Sequence, residues 1–311
     1  MPTLTNMIDE TLINLAGYTF QQDRSTYLAT EISTTTSSSG SPLIMTLGST
    51  DSVGKGIVEI EEELLWVDNY DRIANTATVA PYGRGYLGTT AATHAADTKV
   101  TISPTFPRHS IKRAINDTIR SLGASIFSVK TTTFTFNAAV STYAFANLDI
   151  KNIITVSWQE IGPSKEWRPI RRWDFDSTAN PEAFGYVSGT DKVQTITLGE
   201  APVSGRTVKI TYATDPAPFT TNAQDYATQT GLPESTRDVV ILGAAYRLLA
   251  FLDPARAAQV SPQADETDSK RPYGASQSAT KQLYALYSQR LNEETKAQQQ
   301  NYPPRVHFSR R

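Results

Sequence analysis

Leu4, Met7, Ile8, Leu12 and Leu15 recur at steps of three and four, and Gly17 follows where a helix would stop. This predicts a short amphipathic N-terminal helix. A helix of that length is marginal alone, so its apolar stripe needs a partner surface. Ser33 to Gly40 is a Ser/Thr loop without a pattern to bury. From Leu43 to Ser103 the period becomes two. Gly56 to Val67, Thr76 to Val79 and Lys99 to Ile102 read as strands, which predicts a small antiparallel barrel or sandwich. The clearest helix follows Pro107, with Ile111, Ile115, Ile119, Leu122 and Ile126 on one face. Arg108, Lys112, Arg113, Asp117 and Arg120 occupy its other faces, so a basic outer surface is expected.

Spacing of two returns between Thr131 and Pro216, at Phe134/Phe136, Tyr143/Phe145, Ile154/Val156/Trp158, Ile196/Leu198 and Val208/Ile210/Tyr212. This is a second all-β unit with enough apolar residues for its own core. Val239 to Leu252 is apolar nearly all round and ends before Pro254, the pattern of a buried helix. The polar stretch Ser261 to Gly274 reads as an exposed loop. Ala279, Leu283, Tyr287 and Leu291 then mark a last helix, and Pro303 and Pro304 keep the tail Asn301 to Arg311 extended. The expected class is therefore α+β: a helical-bundle core with two antiparallel β domains, one placed before the core helices and one inserted between them. The expected segments are 1–20 (helix), 21–104 (first β domain), 105–130 (core helix), 131–220 (inserted β sandwich), 221–300 (core helices with a polar loop at 255–275) and 301–311 (tail).

Composition narrows the chemistry. The 311 residues contain no Cys, which removes disulfide scaffolds, thiolate metal sites and cysteine nucleophiles. A net charge of −2 supplies no global attraction to nucleic acid or anionic lipid. No stretch reaches the roughly 20 apolar residues of a membrane helix, and Asp9 and Glu10 near the start are unlike a secretory leader. No membrane partner is expected.

Gly83-Arg84-Gly85-Tyr86-Leu87-Gly88 satisfies G-x-G-x-x-G, but no helix opens there and the acidic residue required about 20 positions on is missing. A tight turn is the simpler reading. Gly48 to Gly56 fails as a phosphate loop, because Gly56 stands where Ser or Thr should hold magnesium. No cofactor is implied. In one continuous strand, Glu59, Glu61 and Glu63 would share a face. That face is a candidate lumen or acidic contact surface, or less simply a glycosidase carboxylate pair. His94, His109 and His307 lack ligand spacing and read as structural or surface residues, so neither a metal nor a catalytic site is assigned. Trp158 alternates with Val156 as a core residue would. Trp167, Arg168, Arg171, Arg172 and Trp173 have the composition of a protein interface and are favoured as a partner contact over nucleic acid. Asn116-Asp117-Thr118 fits a glycosylation sequon but falls inside the basic helix.

The strand run Gly56 to Val67, the string Gly83 to Val100 and the Phe106-Pro107 helix resemble the head-to-tail connector (adaptor or neck) proteins of tailed bacteriophages. The Gly-Ala-Ala-Tyr-Arg-Leu-Leu helix and the Tyr-Pro-Pro-Arg-Val tail are similar to the same group. The resemblance implies a non-enzymatic virion protein, assembled in the host cytoplasm, that forms a dodecameric ring beneath the portal. It also implies that the ring continues the channel for double-stranded DNA, without sequence-specific binding, and offers a seat to the next neck or tail component. Helices 107–127, 234–253 and 277–298 would form the ring body. The tail, with Arg305, Val306, His307, Phe308, Arg310 and Arg311, would reach the portal. The alternative classes are another phage tail or baseplate protein with carbohydrate- or protein-binding β domains and, third, a glycoside hydrolase.

Overall fold

The computed structural model describes residues 2–17, 23–38, 41–162, 165–186, 192–200, 202–250 and 275–303. The fold is α+β, with helices alongside antiparallel sheets. The chain divides into two compact units. One comprises Leu4–Asn116 with Ile241–Leu286, the other Met1–Thr3, Asp117–Val240 and Tyr287–Arg311.

In the first unit, α1 (Leu4–Ala16) buries Leu4, Met7, Ile8 and Leu15. Thr11, also buried, donates its hydroxyl to the Met7 carbonyl at 2.7 Å, which lets a polar residue complete the stripe. Six short strands follow: β1 (Arg24–Tyr27), β2 (Leu43–Thr46), β3 (Gly56–Ile60), β4 (Glu63–Asp71), β5 (Thr76–Val79) and β6 (Lys99–Ile102). They pair antiparallel in the order β1-β6-β3-β4-β5-β2. The two outer strands meet through Ala29 N–H to Thr46 O (2.8 Å) and Gly48 N–H to Tyr27 O (2.9 Å), which closes the sheet into a barrel. A Cβ on Gly48 would lie 2.2 Å from the Tyr27 ring, so a larger residue at that seam would have to displace this half-exposed side chain. Leu28, Met45, Val58, Ile60, Leu65, Val67, Val79 and Val100 fill the interior.

The run from Gly56 to Val67 is a hairpin rather than one strand. Glu61, with φ 55°, and Glu62 turn the chain, so that Ile60 faces Glu63 and Glu59 faces Leu64. A two-residue turn preserves the alternation of apolar residues on both arms while reversing which face each later residue occupies. Glu63 therefore shares the barrel face of Val58 and Ile60, and Glu59 points the other way.

Helix α2 (Arg108–Leu122) buries Ile111, Ile115, Ile119 and Leu122, and Ile126 is buried just beyond it. Strands β7 (Ser128–Thr135), β8 (Thr142–Ala146), β9 (Asn152–Gln159), β10 (Trp167–Pro169), β11 (Trp173–Asp176), β12 (Val193–Leu198) and β13 (Thr207–Thr214) build the second unit's sandwich. One sheet runs β10-β9-β13-β7, the other β11-β12-β8. Val156, Ile196, Val208, Ile210 and Tyr212 form its core, with Phe134, Tyr143, Phe145 and Trp158 packed against them. The short helix α3 (Tyr226–Thr230) is capped by the Asp225 carboxylate. In α4 (Arg237–Ala250), Val239, Val240, Ile241, Ala244, Ala245 and Leu249 are buried. In α5 (Ala275–Asn301) the stripe buries Leu283 and Tyr287, while Ala279 and Leu291 are half-buried. The polar loop Ser261 to Gly274 and the tail residues Arg305, Val306, His307, Phe308, Arg310 and Arg311 lie outside the described residues.

Candidate functional site

The densest polar constellation stands at one end of the barrel. Glu63, Arg84 and His94 are all buried there. The Glu63 carboxylate accepts from Arg84 Nε (2.6 Å) and Nη2 (2.8 Å), the backbone N–H of Gly85 (3.1 Å) and Ala92 (3.0 Å), and His94 Nε2 (2.9 Å). Arg84 Nη1 donates to the Thr34 carbonyl at 2.6 Å, and Nη2 also donates to that of Ala92. His94 Nδ1 meets Glu61 Oε2 at 2.8 Å. A guanidinium and an imidazole thus face two carboxylates, and a bidentate guanidinium pair is the strong form of such contacts. Burial alone would raise the Glu63 carboxyl. The hydrogen bonds from Arg84, His94, Ala92 and Gly85 outweigh it and hold the group down at about 2. Burial disfavours the His94 imidazolium, yet its bonds to Glu63 and Glu61 raise its pKa.

This network pins the segment from Arg84 to His94 against the barrel. G-x-G-x-x-G is accordingly a tight turn: Gly85 (φ 61°) and Gly88 (φ 82°) are left-handed, with a 3-10 turn at Tyr86–Gly88. A Cβ on Gly85 would lie 2.7 Å from the Thr89 carbonyl oxygen. Gly85→Ala is therefore expected to cost about 1–3 kcal/mol, read as a lower urea midpoint.

The expected acidic face is not present in the folded chain. Glu59 and Glu63 are buried on opposite faces of the hairpin, and only Glu61 of the three is exposed. Two carboxyls so placed cannot flank one glycosidic bond, which removes the geometry of a glycosidase pair. Glu59 Oε1 instead accepts the Arg108 N–H at 2.5 Å, capping α2 from outside. Burial pushes this carboxyl up to about 7, against the downward pull of the Arg108 N–H and charge.

The basic face of α2 is also largely neutralised. Arg108 pairs with Asp9 (2.7 Å), Lys112 with Glu62 (3.2 Å) and Arg120 with Asp117 (3.0 Å), and the exposed Arg113 is engaged as well. His109 is half-buried on this helix, while Thr118 of the sequon is fully buried. Among the described residues, no cluster of His, Asp and Glu could hold a metal ion, and no helix is long and apolar enough to cross a membrane.

The Trp/Arg segment is divided between the two sheets of the sandwich. Trp167 and Arg168 lie on β10, Ile170 turns inward as a buried corner, and Trp173 begins β11, half-buried against the core. Trp173 is thus a packing residue rather than a free contact. Trp167 remains partly exposed, with Lys209 Nζ 4.2 Å from its ring centroid, and Arg168 pairs with Glu160 at 2.9 Å. Arg171 and Arg172 are exposed and form no ion pair among the described residues. Sequence reasoning missed the trio Glu63, Arg84 and His94, whose only signal was the pairing of the Gly83–Gly88 string with a downstream His.

No curated protein sequence matches the chain significantly. The profile of a protein family described as SU10 adaptor protein matches residues 87–307, more than two thirds of the chain. The match runs from the clamped turn through α2, the sandwich, α4 and α5 into the C-terminal tail. The chain therefore belongs to the SU10 adaptor protein family, a family of structural proteins of the phage particle.

Proposed function

We propose that the protein is the head-to-tail connector of a tailed phage, assembling as a dodecameric ring beneath the portal. The ring extends the DNA channel and gives the tail its attachment site. The observation that carries this reading is the family match from residue 87 to residue 307. The polar groups agree with a structural role, since the buried Glu63–Arg84–His94 network is engaged in bonds among its own side chains and to the backbone of Thr34, Gly85 and Ala92. The helices α2, α4 and α5 form the ring body in this reading. Near-neutral charge lets DNA pass without being trapped electrostatically. Arg305 to Arg311 contact the portal, and Trp167, Arg168, Arg171 and Arg172 meet the next neck or tail component.

Purified protein, alone or mixed with portal, is expected to give closed rings by native mass measurement and electron microscopy. A chain that stays monomeric in both conditions overturns the assignment. Truncation after Pro303 should abolish portal binding while leaving the thermal unfolding midpoint unchanged. Undiminished portal binding would remove the tail from the contact.

A further inference from the structure

The clamped turn presents bulky side chains outward at a conformational cost. Tyr82 (φ 60°) and Leu87 (φ 55°) both occupy the left-handed region, which residues of their size rarely adopt. Neither is repaid by burial: Tyr82 is 81% exposed and Leu87 64%. Trp66, on β4, packs at a tilt against Tyr86, the ring centroids 5.3 Å apart, and is itself 37% exposed. The backbone conformation persists because Glu63, itself bonded to His94, holds Arg84, Gly85 and Ala92 from beneath, and the Tyr82 N–H donates to the Ser37 carbonyl at 2.8 Å. Strain kept in place by a fully bonded network, with apolar groups turned to solvent, fits a contact arranged in advance of its partner.

The charge of this surface selects the partner. From Pro81 to Thr93 the sole charged side chain is Arg84, and it is buried and paired. Nucleic acid would require exposed cations here, and a charged protein patch would leave its own charges unpaired. Lasting contacts between identical chains are more apolar than transient interfaces and are depleted of charge at their core. We propose that the outer side of the Pro81–Gly88 turn, with Tyr82, Leu87 and the adjacent Trp66, is the surface through which one copy of this chain binds the next. In a ring the mate is a different surface of the neighbouring copy, because such contacts are head-to-tail. Arg84, Glu63 and His94 are positioning residues for this contact. The inference rests on the ring reading above.

The test compares wild type, the double variant Tyr82→Ser/Leu87→Ser and the control Ile73→Ser, whose side chain is 97% exposed elsewhere on the barrel. Native mass across a dilution series, alone or with portal, should show the double variant associating roughly thirty-fold or more weakly. Its melting midpoint and the rings of the control should be unchanged. Because the chain has no Cys, Leu87→Cys and Ile73→Cys each supply a single thiol for a second measurement that needs no disruptive change. In assembled rings, maleimide should label Leu87→Cys at least about tenfold more slowly than Ile73→Cys, the size expected for a site inside a packed contact. Wild-type rings together with undiminished assembly of the double variant, or equal labelling of the two thiols, overturn this contact and leave the ring reading standing. Wild type that forms no ring overturns both.

Discussion

Glu63→Gln should destabilise the barrel by about 3–5 kcal/mol, because it removes one partner of a buried ion pair and strands the other. Arg84 would keep its bonds to the Thr34 and Ala92 carbonyls but lose its counter-charge, and His94 would lose one of its two carboxylates. The amide of Gln also cannot accept five hydrogen bonds as the carboxylate does. Urea unfolding followed by tryptophan fluorescence reads this as a lower midpoint, with Trp66 as a reporter on the strand that carries Glu63. Arg84→Met should cost a similar amount. The double variant Glu63→Gln/Arg84→Met should cost clearly less than the two singles added together, since the second change removes a charge the first left unpaired. A loss below about 1 kcal/mol for Glu63→Gln would mean that the network is not what holds the turn.

Periodicity reached furthest where one face of a helix carries the burial. The α2 stripe is buried throughout, and in α1 the sole departure is that Thr11 joins the buried face while Leu12 is half-buried. Both β units were legible as alternation, and a small barrel was among the expected forms. Strand β1, with sequence Arg-Ser-Thr-Tyr, gave no such signal. Its four residues are held through pairing with β6 and the seam to β2, a tertiary effect with no local trace. The Glu61–Glu62 turn was hidden for a different reason. Charged residues at a hairpin tip continue the alternation of both arms, so strand and hairpin read alike while the face of Glu63 differs. The buried network was illegible because its members are 21 and 31 positions apart and each alone scores as a surface residue. The basic residues of α2 stand out as a pattern within one helix, but two of the acids that pair with them, Asp9 and Glu62, come from other elements.

The barrel unit should lose about 3 kcal/mol of stability as pH rises from about 4.5 to above 7, with Glu59 as the main cause. This carboxyl is buried against the start of α2. It faces Arg108, which favours its charged form, and Asp23 and Glu62, which oppose it, and burial dominates to push it up to about 7. A folded-state value above the unfolded 4.5 means that the neutral acid stabilises the fold. That contribution is complete below pH 4.5 and is lost as pH rises through 7. His94, also raised, acts in the same direction: its contribution is complete below 6.5 and fades as pH climbs through its folded value. Glu63 acts oppositely, since a group held at about 2 stabilises above 4.5 and loses that contribution as pH falls towards 2. The three together place maximum stability in acidic solution, at about pH 4.5 where the windows of Glu59 and Glu63 meet, although the net charge of the chain at pH 7 is only −2. Glu59→Gln keeps an oxygen for the Arg108 N–H and cannot ionise, so its urea midpoint should change little between pH 5 and pH 8, apart from the share due to His94. If Glu59→Gln retains the full wild-type decline, the titrating group lies elsewhere, and the short bond from Arg108 is then a cap to a permanently ionised carboxylate.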